Sequence, residues 1–187
     1  SCSSLTRVTI PSSVISIGDN AFSSCSKLTS IKIPSSVISI GKRAFMYCSK
    51  LTSIKIPSSV ISIGNNAFFR CSSLTSITIP SSVTSIEDYA FNACSSLTSV
   101  TFGENSQLTS IGKRAFYNCS KLKYNEYDNA KYLGNAENPY HALIEAKNTY
   151  ITHCTIDDST KVIGGGAFND CSSLTRVTIP SSVISIG

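Results

Sequence analysis

The sequence predicts a repeat solenoid, and three observations support this prediction. A Leu follows each of a set of regularly spaced cysteines by three positions, and a Pro and a Phe recur with the same period. Apolar residues make up 41% of the chain, which is too many for a disordered tract despite the abundance of Ser and Thr. A fixed period of about 20 to 50 residues is typical of arrays in which each unit packs only on its neighbours. The cysteines that mark the 23-residue period are Cys2, Cys25, Cys48, Cys71 and Cys94.

Each unit begins with a predicted strand, for which residues 51–56 serve as the example. Ile54 and Ile56 alternate with polar residues, which is strand periodicity. Pro57 ends the strand because it has no N–H to donate to a neighbouring strand.

The remainder of the unit is predicted to turn the chain back towards the next strand. Residues 60–63 form a second short extended segment, and Gly64 allows a tight bend. Residues 65–68 are predicted to form a single helical turn whose Ala and Phe point inward, and Cys71 ends the unit.

Stacking of the units about 4.8 Å apart would align their inward residues into columns. One unit cannot cover both sides of these columns, so stability must come from its neighbours. We predict a single array of eight rungs over residues 1–187, and because residues 2–18 are identical to residues 171–187 we expect a segment of a longer chain. The leading strands begin at Leu5, Leu28, Leu51, Leu74, Leu97, Leu122, Ile151 and Leu174.

Two segments depart from the repeat. Residues 103–107 replace the usual Pro-Ser-Ser and predict a two-residue bulge at one corner. Residues 123–150 form an insert, in which residues 131–134 and 140–145 predict a hairpin joined by the Asn- and Pro-containing turn 135–139. A disordered loop is the alternative, but apolar alternation in the second segment favours the hairpin.

The cysteines invite a disulfide or metal interpretation. Seven of the eight fall at one repeat position beside the Phe and Leu columns, which predicts buried reduced thiols that fill space. Disulfides between adjacent rungs are the alternative. Cys154 aligns with Ile54 and is predicted to be a core strand residue, and the absence of a Cys-x-x-Cys motif argues against zinc.

No catalytic residue, metal or cofactor is predicted, so we expect a protein that is not an enzyme. His141 lies in the insert and His153 at an outward strand position, and neither accompanies a metalloprotease motif or a nucleophile elbow. The net charge of +5 is dispersed, which argues against a nucleic-acid partner. No stretch is long and apolar enough to span a bilayer, and no signal peptide is visible in this segment.

The outward positions of the strands form the candidate binding face. Lys32 and Lys55 fall on neighbouring rungs, and adjacent like charges are unfavourable unless an anionic partner pairs with them. An ordinary solvated face is the alternative. The insert adds tyrosines, which combine a large contact area with a polar tip. The candidate residues are Arg7, Lys32, Lys55, Thr78, Thr101 and Arg176 on the face, and Tyr124, Tyr127, Tyr132 and Tyr140 in the insert.

Residues 51–64, Leu-Thr-Ser-Ile-Lys-Ile-Pro-Ser-Ser-Val-Ile-Ser-Ile-Gly, followed by Ala-Phe and Cys71, resemble the BspA-like leucine-rich repeat. The resemblance covers essentially the whole chain, and residues 125–144 are similar to an insert that recurs in such arrays. It implies a right-handed solenoid with a parallel sheet on its concave face and single helical turns on the other side.

The same resemblance implies a secreted or cell-surface protein that acts in adhesion or binding. Its partner would be a protein or glycan, such as a host matrix or cell-surface molecule. The alternative is a structural role, in which units associate head to tail into a fibre or form part of a very long solenoid.

Overall fold

The computed structural model describes residues 2–187, which form a parallel-sheet β-solenoid of about seven turns. Most coils contribute one strand to a first row and one shorter strand to a second row. The first row consists of β2 (Ser30–Lys32), β4 (Ser53–Lys55), β6 (Ser76–Ile79), β8 (Ser99–Phe102), β13 (His153–Thr155) and β15 (Arg176–Thr178). The second row consists of β1 (Ser16–Ile17), β3 (Ser39–Ile40), β5 (Ser62–Ile63), β7 (Ser85–Ile86), β9 (Ser110–Ile111), β14 (Val162–Ile163) and β16 (Ser185–Ile186).

The strands of both rows pair in parallel, as a solenoid requires. In the first row β2 pairs with β4, β6 with β8, and β13 with β15. In the second row β1, β3, β5, β7 and β9 form one five-stranded parallel sheet. One of the eight predicted leading strands is not a strand, because the N-terminal coil makes only a bridge from Thr9 to Lys32. The strand predicted to begin at Leu122 forms over Asn125–Tyr127, but it pairs with the insert, and Gly134 takes its place beside Thr101.

The insert extends the second row across the interruption. It contains β10 (Asn125–Tyr127), β11 (Ala130–Leu133) and β12 (Ala142–Ala146), which pair antiparallel in that order. Strands β11 and β12 lie close to the two predicted hairpin segments. Strand β10 belongs to the leading strand predicted to begin at Leu122, but its antiparallel pairing with β11 was not predicted. Strand β12 then pairs in parallel with β14, so the insert is part of the solenoid sheet rather than an appendage.

The predicted helical turn after each Gly is wrong, because the described residues contain no helix. Asn66 and Arg70 both have φ of 56°, in the left-handed region, and this interrupts any right-handed helical turn. The backbone N–H groups of the turn also alternate between acceptors in the same coil and acceptors in the next coil. The Ala67 N–H donates within the turn to the Gly64 carbonyl at 3.0 Å, whereas the Asn66 N–H donates to Asp88 of the next coil at 2.9 Å. The corner is therefore a stack of tight turns held together between coils.

A column of phenylalanines runs through the core. Neighbouring rings stack with centroids 5.0–5.4 Å apart and ring planes within 13° of parallel. Every ring except the first in the column is at most 2% exposed. The column consists of Phe22, Phe45, Phe68, Phe91 and Phe116.

The cysteine column lies beside these phenylalanines, and all eight cysteines are free thiols. Four of the buried thiols donate a hydrogen bond to a Phe carbonyl of the preceding coil, at 3.1–3.2 Å. Cysteine therefore suits this position because it is small and apolar yet carries a weak donor. Cys154 is 1% exposed, as predicted for a core strand residue. The bonds join Cys48 to Phe22, Cys71 to Phe45, Cys94 to Phe68 and Cys119 to Phe91.

We expect one thiol, that of the exposed Cys2, to react quickly with a disulfide reagent such as Ellman's reagent at neutral pH. The reactive species is the thiolate. Burial, followed by the neighbouring Cys25, raises the pKa of the Cys48 thiol to about 12, and burial raises the pKa of Cys171. Denaturation without a reductant should expose all eight thiols. Several fast thiols in the native protein would contradict the buried column, and a shortfall after denaturation would indicate disulfides.

Candidate binding surfaces

The outer face of the first row brings four of the predicted residues into one line. Lys32 lies directly opposite Lys55 in the register of β2 and β4, and Thr78 lies opposite Thr101 in the register of β6 and β8. Thr9 bridges Lys32 from the N-terminal coil. All five side chains are exposed. We call Thr9, Lys32, Lys55, Thr78 and Thr101 the Lys–Thr column.

The two predicted arginines lie outside this column. The bridge from Thr9 to Lys32 places Arg7 at the register of Ser30, two positions from the lysines. Arg176 lies opposite His153 in the register of β13 and β15, beyond the insert. Both arginines are exposed. Arg7 lines a surface depression together with Thr9 and Lys32, whereas Arg176 lies at the other end of the solenoid, away from the lysines.

The lysines of the column have no acidic partner. Residues 2–187 contain two ion pairs, Lys131 to Glu145 at 2.9 Å and Lys147 to Glu126 at 3.1 Å, and both belong to the insert. The Lys32 and Lys55 ammonium groups are therefore neighbours of like charge on exposed strands. Two like charges directly opposite each other destabilise a sheet.

The insert tyrosines differ in their accessibility. Tyr127 is 40% exposed, and its ring centroid lies 5.9 Å from that of the half-buried Tyr140. Tyr124 is also half-buried, with the Lys131 ammonium 5.5 Å from its ring centroid. Burial, followed by the charge of Glu145, raises the pKa of the Tyr124 hydroxyl.

Tyr132 is not available to a partner, so the prediction that it makes surface contacts is wrong. Its side chain is 0% exposed and belongs to the core cluster that includes Leu143 and Cys154. The alternation along β11 directs Tyr132 inward, because the outer side of the strand is taken by Lys131. Burial raises the pKa of its hydroxyl.

A groove of about 680 Å³ lies between the bulge at residues 103–107 and the insert. It opens on the outer side of the second row, where Thr84 and Thr109 lie, rather than on the side of the Lys–Thr column. We call it the bulge–insert groove. Its polar lining includes Asn105, Gln107, Thr109, Asn138, His141 and Lys161.

Both walls of the groove are held by specific contacts. A Cβ at Gly103 would lie 2.7 Å from the Ser81 nitrogen, so only glycine fits against the preceding coil here. Asn135 donates from its side-chain amide to the Gly103 carbonyl at 3.2 Å, which ties the insert to the bulge. Asn138 donates to the Ser159 carbonyl at 2.9 Å and anchors the opposite side of the same loop.

His141 lies in the wall of this groove. The residue is 8% exposed, its ring packs edge-on against Phe102 at 5.6 Å, and its Nε2 atom is buried with no hydrogen-bond partner. Burial, followed by the charge of Lys161, lowers the pKa of His141, while the Leu108 carbonyl acts in the opposite direction. Burial therefore favours the uncharged form of the imidazole.

Sequence reasoning identified the bulge and the insert as departures from the repeat, but it did not identify the groove. His141 and Gln107 are far apart in sequence, and only the docking of β12 against the second row brings them together. The outward position of His153, by contrast, is confirmed by its exposure. Among residues 2–187 no group of three or more His, Cys, Asp or Glu side chains is placed to hold a metal ion.

The described part of the chain has no helix of the length and apolarity that crossing a membrane requires. A family model, the BspA type leucine rich repeat region, matches six copies over residues 1–123 and 146–187. The unmatched residues between these ranges correspond to most of the insert. No match was found among curated proteins.

Several solved structures are similar to the chain. A leucine-rich repeat protein of T. pallidum (TpLRR) is 27% identical over 93% of this chain, with a TM-score of 0.60. A leucine-rich cell surface protein of Faecalibacterium prausnitzii is 33% identical over 98% of the chain, with a TM-score of 0.52. A leucine-rich repeat protein from Bacteroides ovatus is 24% identical over 100% of the chain, with a TM-score of 0.52, and shows likeness of fold alone. The chain spans 67%, 57% and 52% of these three proteins, respectively.

Proposed function

Because the chain belongs to the BspA-type leucine-rich repeat family, we propose that it is a binding module of a secreted or cell-surface protein. It recognises an acidic protein or a sulfated or otherwise anionic glycan, such as those of extracellular matrix or cell surfaces, through the Lys–Thr column. The similar protein of Faecalibacterium prausnitzii, described as a leucine-rich cell surface protein, supports the location.

The observation that carries this proposal is the uncompensated pair of Lys32 and Lys55. The two residues are in register on adjacent parallel strands, exposed, and outside both ion pairs of the described chain. This arrangement costs folding free energy, by roughly 0.2–1 kcal/mol on the scale of cross-strand pairs. An anionic partner that bridges both ammonium groups would convert this cost into binding free energy.

The surroundings of the lysines suit an extended partner. Along each strand of the first row the exposed positions alternate with buried ones, so the outer face is a regular, shallow surface. Thr78 and Thr101 continue the line with hydroxyl groups, which donate and accept hydrogen bonds. Such a surface can contact repeating groups along a chain or a protein face.

We expect the double variant Lys32→Glu, Lys55→Glu to weaken binding to immobilised heparin or an acidic matrix protein. Two reversed exposed charges should cost roughly 1–2 kcal/mol, or about fivefold to thirtyfold in affinity, at physiological salt. Surface plasmon resonance over a range of salt concentrations measures both the affinity and its salt dependence. The salt dependence should become shallower, because fewer counterions and opposite charges are involved.

The matched control reverses two lysines that also lie one repeat apart. Lys27→Glu with Lys50→Glu makes the same change in net charge at exposed positions outside the Lys–Thr column. It should change the affinity much less than the first pair does. Equal losses in both double variants would show that only net charge matters, and unchanged affinity in the first pair would exclude the column as the binding site.

A further inference from the structure

We propose that the stacked corner turns between residues 41 and 119 form a second docking surface, which takes an acidic segment of a protein partner on exposed aromatic rings and arginines. These turns follow the second row, and they are a different part of each coil from the first-row strands that carry the Lys–Thr column. This inference goes beyond the proposed function, because it uses other residues on another part of the coil.

Three side chains in contact form the centre of this surface. The Arg70 guanidinium lies 5.6 Å from the centroid of the Phe69 ring and 5.9 Å from that of Tyr47, and the two rings meet edge-on at 5.6 Å. Arg70 is exposed, Tyr47 is 40% exposed and Phe69 is half-buried, so solvent reaches all three. A cation within about 6 Å of a ring centroid is attracted to the ring, which holds the guanidinium in place. We call Tyr47, Phe69 and Arg70 the corner platform.

A second pair of a ring and a guanidinium lies two coils further along the same corner. The Arg114 guanidinium lies 5.1 Å from the centroid of the Tyr117 ring, and Tyr117 is 45% exposed. At a rung spacing of about 4.8 Å, two coils correspond to about 10 Å along the solenoid axis. A partner segment of about three extended residues covers this distance and can contact both places.

The corner turns carry an excess of positive charge. They contain five cations and two anions, which gives a net charge of +3. The carboxylates of Glu87 and Asp88 accept backbone N–H groups of neighbouring coils at 2.9 and 2.7 Å, and neither ion pair of residues 2–187 includes an arginine. The guanidinium groups therefore suit a partner that supplies carboxylates. The turns counted are residues 41–48, 64–71, 87–94 and 112–119.

The backbone of the corner shows that the fold alone does not select these side chains. Tyr47 and Arg70 have φ of 61° and 56°, in the left-handed region that large side chains disfavour. Both cost folding free energy without filling the core, and local rules are typically broken in this way at functional sites. The same repeat position in other coils holds the smaller residues Ser24, Ala93, Asn118 and Asp170.

The chemistry of the corner platform favours carboxylates presented by a protein. A guanidinium has five N–H donors in a planar fork, which match the two oxygens of a carboxylate. Tyr, Phe and Arg are also residue types that are enriched at protein interfaces. The partner segment therefore carries Asp or Glu beside apolar side chains, which pack on Tyr47 and Tyr117.

The test uses the whole chain and a synthetic peptide of repeated Glu-Tyr-Glu-Leu units. Its uncharged match has Gln in place of each Glu, and a heparin tetrasaccharide and oligothymidine represent the other classes of anionic partner. ¹H–¹⁵N spectra that include the arginine Nε–H groups give the affinity at each place on the surface. We expect the Glu peptide to shift the Arg70 and Arg114 resonances saturably, and the other three probes to bind there at least about tenfold more weakly.

The chain itself supplies the variants, because other coils hold smaller residues at the same position. Arg70→Asn copies Asn118 and should weaken binding of the Glu peptide about tenfold without lowering the urea midpoint, since Asn tolerates the left-handed region. Tyr47→Ser copies Ser24 and should weaken binding about threefold. The matched control is Arg43→Asn, which removes the same charge from an exposed residue that also has φ of 56°, and it should weaken binding less than about twofold.

Four results would overturn the inference. These are the absence of a saturable shift at Arg70, equal binding of the Gln peptide, equal losses in Arg70→Asn and Arg43→Asn, and tighter binding of heparin or oligothymidine at the corner platform. The same spectra record the backbone amides of Lys32 and Lys55 separately. Failure of the corner platform is therefore distinguishable from failure of the Lys–Thr column.

Discussion

Replacing Phe68 by Ala is expected to lower the free energy of unfolding by about 3–5 kcal/mol, the usual cost of removing a buried Phe. Its ring is 0% exposed and stacks between Phe45 and Phe91, with centroid distances of 5.3 and 5.0 Å. The cavity would open in the middle of a continuous column, where neither neighbouring ring can move inward without leaving its own stack.

The solenoid architecture should also change how this variant unfolds. Each coil contacts only its neighbours, so a weakened interface in the middle separates two groups of coils that can open one at a time. Urea denaturation followed by circular dichroism should therefore show a lower midpoint and a broader transition for Phe68→Ala. A smaller m value would indicate that the array no longer unfolds as one unit.

Phe69 provides the matched control, because it is the next residue and has the same side chain. Its ring is half-buried on the outside of the coil, edge-on to Tyr47 at 5.6 Å. Phe69→Ala should cost about 1 kcal/mol, the scale of an outer aromatic contact. Similar losses for Phe68→Ala and Phe69→Ala would show that the column does not carry the stability of these coils.

The strands and the core columns could be predicted from the period alone. Once the units are aligned, every position has the same environment in each coil, so Ile54 and Ile63 identify the inward residues of all the others. The end of the first-row strand before Pro57 follows from a missing N–H, and β4 does end at Lys55. The resemblance to the BspA-like family and the predicted solenoid fold class rest on the same repeat period, and both are confirmed.

The geometry of the corner could not be predicted, because local preference does not decide it. Asn66 and Gly166 occupy the same repeat position with φ of 56° and 75°, and both residues tolerate the left-handed region. Arg43 and Tyr89 occupy it too, each with φ of 56°, although their side chains disfavour it. Hydrogen bonds from one coil to the next hold this conformation, and such bonds are not visible in the sequence of a single unit.

The candidate surfaces likewise include a part that the repeat period predicts and a part that it does not. The adjacency of Lys32 and Lys55 follows from the period, because residues one repeat apart must be neighbours on parallel strands. The burial of Tyr132 and the position of His141 depend on how the insert docks, and the insert occurs once in this chain. Non-repeated segments lack the internal alignment that made the rest of the chain predictable.

Gly134→Ala is expected to lower the free energy of unfolding by about 3 kcal/mol, at the upper end of the cost of overpacking. A Cβ at this position would overlap the Asn138 carbonyl oxygen and lie 2.8 Å from the Pro139 carbonyl carbon. Both are backbone atoms of the tight loop, so relief requires the loop itself to move. The Gly134 carbonyl accepts from the Phe102 N–H at 3.2 Å, and any shift weakens the junction between insert and solenoid.

This variant should also damage the bulge–insert groove, because residues 135–138 form one of its walls. We expect ¹H–¹⁵N spectra to show changes that spread from the insert into the bulge at residues 103–107, while the first coils keep their resonances. Gly18→Ala is the control, since a Cβ there meets no atom within 4 Å and should change stability by less than about 0.5 kcal/mol. If Gly134→Ala were as stable as Gly18→Ala, the insert loop would have room that this packing excludes, and the preformed groove would lose its main support.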